Sequence, residues 1–236
     1  MRYLKTYEKL IRDLISDKDI VELINTECSE WSIDDPIINR GFLGVRITRM
    51  NNSVMIYEPF NYDDKTENGQ NYYEYKGKQY RASAYTGNFY TMLINHLEAW
   101  SDYPKRELIC SNVQVYGGEY RVIPYNGSKW GVVPTGDIQN NITYEVNGER
   151  YTSLDELNDN VLNDADAPYE PEKFFKWLET SEFDFNRDLE PEKLGFKTFN
   201  YPELRDYLNT LSRERELWTD SKCILIKHDY FNLVIK

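Results

Sequence analysis

Histidine is almost missing from this chain: only His96 and His228 occur in 236 residues. Cysteine is nearly as scarce, with Cys28, Cys110 and Cys223 and no Cys-x-x-Cys pair. Together these shortages nearly exclude zinc sites of the finger or deaminase type. A sparse, odd set of cysteines is also unlike a secreted disulfide scaffold. No stretch approaches the ~20 consecutive apolar residues of a membrane span. The first twenty residues are amphipathic and charged with no continuous apolar run, so a signal peptide is not expected. A cytoplasmic protein without a membrane partner is the expectation.

Basic residues are outnumbered, 28 Lys+Arg against 40 Asp+Glu, which gives a formal charge of −12. Such a surface repels phosphate backbones, so a non-specific DNA or RNA coat is not expected. Apolar and ring surface is plentiful, at 40% hydrophobic residues with 20 Tyr, 10 Phe and 5 Trp. That excludes a disordered chain. The length suits a single domain over residues 1–236 that folds without disulfides or metal.

Apolar periodicity gives a coarse α+β reading. Residues 1–26 read as one or two helices with a break at Asp17-Lys18-Asp19, and residues 1–30 as a helical cover over the core. Strands are expected at residues 41–47 and 54–57, and a tyrosine-rich pair about Lys76-Gly77. A helix is expected after Thr86-Gly87-Asn88, ending at Tyr103-Pro104. Strands follow at residues 107–115, 120–124 and 130–134, with Asn126-Gly127 as the turn between the last two. Residues 136–200 change character and read as an insertion or lid, partly helical, with a hairpin at Asn147-Gly148. Asn200 caps a helix to Leu211. Two terminal strands are expected at residues 223–226 and 231–235.

Four local features could carry chemistry. In Arg40-Gly41, the glycine lets backbone approach a ligand while the guanidinium grips a phosphate. The same pair also reads as a surface arginine beside a turn. The run through Ser83, Tyr85, Asn88 and Tyr90 places hydroxyls, an amide and rings before a helix N-terminus, where free N–H groups favour an anion. It also reads as a helix cap with packed rings. Lys105 and Arg106 form a small basic spot on an acidic chain, suited to a phosphate-bearing small molecule, and Ser111 follows on a strand. Both also read as ordinary surface and strand residues. Glu214 and Glu216 share a face if their segment is extended, and form a salt-bridged exterior if it is helical.

The order of these features, Arg-Gly, then a serine-bearing strand, then Glu-x-Glu before an apolar strand, resembles the NAD-dependent mono-ADP-ribosyltransferase superfamily. The run from Thr86-Gly87-Asn88-Phe89-Tyr90 to Trp130-Gly131-Val132-Val133-Pro134 is similar to an uncharacterised bacteriophage-encoded branch of transferase-like proteins. The resemblance implies a split β-sandwich with flanking helices, with NAD as co-substrate. It implies transfer of ADP-ribose to a macromolecular acceptor, a protein before a nucleic acid, in a host cytoplasm if phage-encoded. By position it matches Arg40 and Gly41 to the NAD phosphates, with Lys105 and Arg106 as helpers. Ser111 is the one surviving hydroxyl of the Ser-Thr-Ser motif. Tyr85 or Tyr90 matches a ring stacked on nicotinamide, and Ser83 and Asn88 fall in the same cofactor-binding stretch. Glu216 matches the catalytic carboxylate, and Glu214 the upstream glutamate associated with an arginine acceptor. The register between the two carboxylates stays open. Two further functions remain open from the sequence: an NAD glycohydrolase, with water as acceptor, and a non-catalytic acidic protein that engages a basic partner.

Overall fold

The structure is a computed structural model that describes residues 17–40, 53–58, 72–75, 78–81, 94–95, 98–113, 119–136, 138, 144–146, 149–151 and 190–235. These residues build an α+β fold: one eight-stranded antiparallel sheet, two separate two-stranded hairpins and three α-helices. In chain order the main-sheet strands are β1 (Asn39–Arg40), β2 (Val54–Tyr57), β5 (Leu108–Ser111), β6 (Tyr120–Pro124), β7 (Lys129–Val132), β10 (Lys197–Asn200), β11 (Glu216–Thr219) and β12 (Cys223–Lys227). Their spatial order is β10-β7-β11-β5-β1-β6-β12-β2. The hairpins are β3–β4 (Tyr72–Tyr75 with Lys78–Arg81) and β8–β9 (Tyr144–Val146 with Glu149–Tyr151). The helices are α1 (Asp17–Glu27), α2 (Tyr201–Asn209) and α3 (His228–Val234).

Both faces of the sheet are covered, which is why its central strands are apolar at successive positions rather than alternating. β5 is buried at all four residues, and β12 at its first four. On the first face, Leu108, Cys110, Val122, Trp130, Val132, Leu217, Cys223 and Leu225 pack against Tyr201, Leu204 and Leu208 of α2. Each fully buried leucine there contributes ~2 kcal/mol of apolar transfer. On the second face, Ile123, Ile224 and Ile226 lie under Ile20 and Ile24 of α1 and Phe231 and Val234 of α3. At the other end of that face, Trp218 meets an edge-to-face group of Trp100, Tyr103 and Phe196.

Local chemistry explains most boundaries. α2 starts in a full capping box: Asn200 Oδ1 accepts the Glu203 N–H at 3.0 Å, and Glu203 Oε2 accepts the Asn200 N–H at 3.2 Å. The β6–β7 turn uses Gly127 at φ +74°, a left-handed conformation that favours glycine. Asn126 beside it accepts the Glu30 N–H at 2.9 Å, tying the end of α1 to the turn.

The structure corrects several boundaries read from the sequence. Asp17 and Asp19, where a break was expected, occupy the first turn of α1, where carboxylates face the free N–H groups, and residues 1–16 lie outside the described residues. The apolar run at residues 231–235 is not a strand. It lies in α3, because Phe231 and Val234 recur at helical spacing and are buried while Leu233 is 65% exposed. The strand expected at residues 107–115 is shorter, and ends at Ser111. The helix before Tyr103 ends in a 3-10 turn at Glu98–Trp100. Residues 197–200 of the expected insertion form β10, paired with β7 over four residues. The strand expected at 41–47 and the helical part of 152–189 lie outside the described residues.

Candidate functional site

Register decides which side chains of the sheet can meet. Residues directly opposite each other on paired strands point to the same face. Asn39 is opposite Ser111 and also opposite Arg121, while Ser111 is opposite Glu216. A straight polar row therefore crosses four adjacent strands of the second face: Glu216 on β11, Ser111 on β5, Asn39 on β1 and Arg121 on β6. The row lies between the α1–α3 cover at one end and the tryptophan group at the other. Glu216, Ser111 and Asn39 are all buried, at 8%, 5% and 3% exposure.

Glu216 is the most heavily committed member. Arg106 Nε donates to its Oε1 at 2.9 Å, and a second guanidinium nitrogen lies 2.9 Å from the same oxygen. The Ile138 N–H donates to its Oε2 at 3.3 Å. Arg106 is itself 2% exposed, and its backbone N–H is fixed by Asn95 Oδ1 at 2.7 Å. The sequence placed Arg106 in a basic surface spot; the structure places it beneath the surface as the partner of Glu216. Its neighbour Lys105 is half-buried, and burial pulls its ammonium pKa down.

Glu214 is held differently. The Ser111 hydroxyl donates to Glu214 Oε1 at 3.4 Å and accepts the Val113 N–H at 3.2 Å, so its proton is directed at the carboxylate. The segment carrying Glu214 is tied to the end of β5. Asn112 Oδ1 accepts the Arg215 N–H at 2.7 Å, and Asn112 Nδ2 donates to the Arg213 carbonyl at 3.2 Å. Glu214 is half-buried, which leaves it the more accessible of the two carboxylates.

Arg40 does not join them. It is opposite Cys110, one position out of phase with Asn39, so it points to the first face. Its electrostatic neighbours agree: Cys110, Tyr120 and Tyr57 are first-face residues, and burial lowers its pKa. Thus the structure brings Ser111, Glu214, Glu216 and Arg106 together and turns Arg40 away. Gly41, Ser83, Tyr85, Asn88 and Tyr90 lie outside the described residues.

Reasoning from sequence missed Asn39 and Arg121. A signal existed for Arg121, a charged residue between Tyr120 and Val122 on a clear strand. For Asn39 the signal was only its position before Arg40, since one residue's shift in phase exchanges the faces. Two of the row's polar atoms, Asn39 Oδ1 and Arg121 Nε, are buried with no hydrogen-bond partner among the described residues. Among the described residues no group of three or more His, Cys, Asp or Glu could hold a metal ion. Nor is any helix there long and apolar enough to cross a membrane.

Comparison with known proteins adds no relative: no family model, curated protein or solved structure matches the chain.

Proposed function

We propose that this protein transfers ADP-ribose from NAD to a protein acceptor, with Glu214 as the carboxylate at the ribose and Ser111 as the residue that positions it. The observation that carries this proposal is the strand order of the sheet, together with the pairing of Glu216 opposite Ser111. The three stretches on which the resemblance rests, Arg40-Gly41, the Ser111 strand and Glu214-x-Glu216, are far apart in sequence, yet β1, β5 and β11 are adjacent. The finer architecture that goes with it is an ADP-ribosyltransferase-like split β-sandwich, and the setting that goes with it is cytoplasmic.

In this chemistry the bond between ribose C1′ and the nicotinamide nitrogen breaks, and nicotinamide leaves with the electron pair. The positive charge left on the ribose is captured by an acceptor nucleophile, which then loses a proton. A carboxylate hydrogen-bonded to the ribose 2′-hydroxyl stabilises charge that appears only near the transition state. Glu214 suits that task because one of its oxygens is steadied by Ser111 while the residue stays partly open. Glu216 is already neutralised by Arg106, so its part is to hold the start of β11 and the buried guanidinium in place. Arg40 has no contact with NAD in this arrangement.

The test is release of labelled nicotinamide, and labelling of lysate proteins, by wild type and by Glu214→Gln. Loss of the carboxylate should lower kcat about 100-fold or more, the scale of a lost transition-state donor. Wild-type turnover by Glu214→Gln overturns the assignment. Free ADP-ribose without labelled protein identifies water as the acceptor and the protein as an NAD glycohydrolase.

A second function is favoured by two observations: Glu216 has both oxygens engaged, and Arg40 faces away from it. With a charge of −12 this suits a non-catalytic acidic protein that engages a basic partner. No NAD turnover, together with a stable, salt-sensitive complex with a basic protein, supports it.

A further inference from the structure

We propose that Asn39 and Arg121 form a recognition subsite for a planar group that presents a hydrogen-bond acceptor beside an N–H donor, such as a primary carboxamide or a nucleobase edge. The two residues are directly opposite each other on β1 and β6, so their side chains are neighbours on the second face. Asn39 is 3% exposed, and its Oδ1 is a buried acceptor with no partner among the described residues. Arg121 Nε is a buried donor in the same state. Natural proteins rarely leave such atoms unpaired, and a bound group that completes the bonding is one explanation for two of them side by side.

Asn39 and Arg121 carry complementary atoms but do not bond to each other. Arg121 Cζ lies 4.2 Å from the centroid of the Phe231 ring, which holds the guanidinium against α3. What the pair lacks is therefore a carbonyl or ring nitrogen to accept from Arg121 Nε and an N–H to donate to Asn39 Oδ1. An amide or base edge supplies both atoms side by side. The depth of Asn39 favours such a neutral, planar group over a free charged one, since an anion there loses its water with only one arginine in compensation. The subsite continues directly into Ser111, its other cross-strand neighbour, and so into the carboxylate of Glu214.

This subsite rests on the transferase proposal only in that NAD carries both kinds of edge, a carboxamide and an adenine. Calorimetry on the full chain with nicotinamide, adenosine and ribose 5-phosphate separates the sources. Nicotinamide or adenosine binds wild type, and whichever binds identifies the edge. Asn39→Leu and Arg121→Lys each weaken that binding at least tenfold. Asn39→Leu also raises the Tm of the ligand-free protein, because an apolar side chain of similar shape removes an unpaired buried acceptor. Arg121→Lys keeps the charge, so it guards against a folding defect in the first variant. Binding of neither compound, binding of ribose 5-phosphate alone, or equal binding by both variants overturns the subsite. NAD turnover at the wild-type rate by both variants overturns it while leaving the transferase intact. Edge binding lost in both variants, with no NAD consumed by wild type, supports the subsite without the transferase.

Discussion

Arg106 and Glu216, 110 positions apart, form a buried ion pair in which two guanidinium nitrogens lie 2.9 Å from one carboxylate oxygen. A pair of this kind seldom adds much net stability, because its attraction mainly offsets the cost of taking two charges out of water. Removing one partner is another matter, since it strands the other.

Glu216→Gln and Arg106→Met are each expected to destabilise the protein by about 3 kcal/mol or more. The double variant Arg106→Met/Glu216→Leu should recover most of that loss, as a buried pair exchanged for apolar side chains of similar volume often does. Urea midpoints of the three variants check this. Single variants that unfold at the wild-type midpoint would show that the pair is solvated rather than buried.

Gly131 supplies a second stability probe. It sits opposite Trp218, and a Cβ placed on it would come within 2.3 Å of the indole ring. The ring has little freedom to retreat: Trp218 is fully buried and its Nε1–H donates to the Pro104 carbonyl at 2.8 Å. Gly131→Ala should therefore cost about 3 kcal/mol, at the upper end for overpacking. The variant is checked by its denaturant midpoint and by its Trp fluorescence, which should shift as the indole moves.

How much of this was legible in the sequence depended on the range over which each signal acts. Asn126-Gly127 and the Asn200 capping box are local devices, and both sit where the chain pattern placed them. The hairpins about Lys76-Gly77 and Asn147-Gly148 were legible for the same reason. The last helix was not: the apolar run at 231–235 fits either period, and burial of Phe231 and Val234 beneath α1 decides it. The site was half legible. Ser111, Glu214 and Glu216 were picked out by residue type and order. Strand phase, which separates Arg40 from Asn39, is set by pairing with β5 and β6 and has no local signature.

Cys28 gives a prediction in pH. It is fully buried, and burial, with a smaller contribution from Glu27, raises its thiol from the ordinary 9.0 to about 12. The group is neutral when protonated and its folded-state pKa lies above the unfolded one. Its contribution to stability is therefore complete below pH 9 and is lost as pH rises towards 12. Cys28→Ala lacks this ionisation, so it should lose less stability than wild type between pH 8 and pH 11. Urea midpoints at the two pH values test it; equal losses in both proteins would mean that Cys28 is accessible to water.

Arg40 offers the sharpest test of the strand phase on which the site rests. Its guanidinium is on the first face, near Cys110, Tyr120 and Tyr57, across the sheet from Ser111 and Glu216. Arg40→Met should then lower the denaturant midpoint, because a buried guanidinium also serves its neighbours, while leaving the KM for NAD within twofold. A guanidinium that gripped a phosphate would behave otherwise: losing a charged hydrogen bond of about 1.5–3 kcal/mol raises KM tenfold or more. Steady-state nicotinamide release across a range of NAD concentrations separates the two. A tenfold rise in KM at unchanged kcat would place Arg40 in the site and require β1 to be shifted by one residue, which would turn Asn39 away from Ser111.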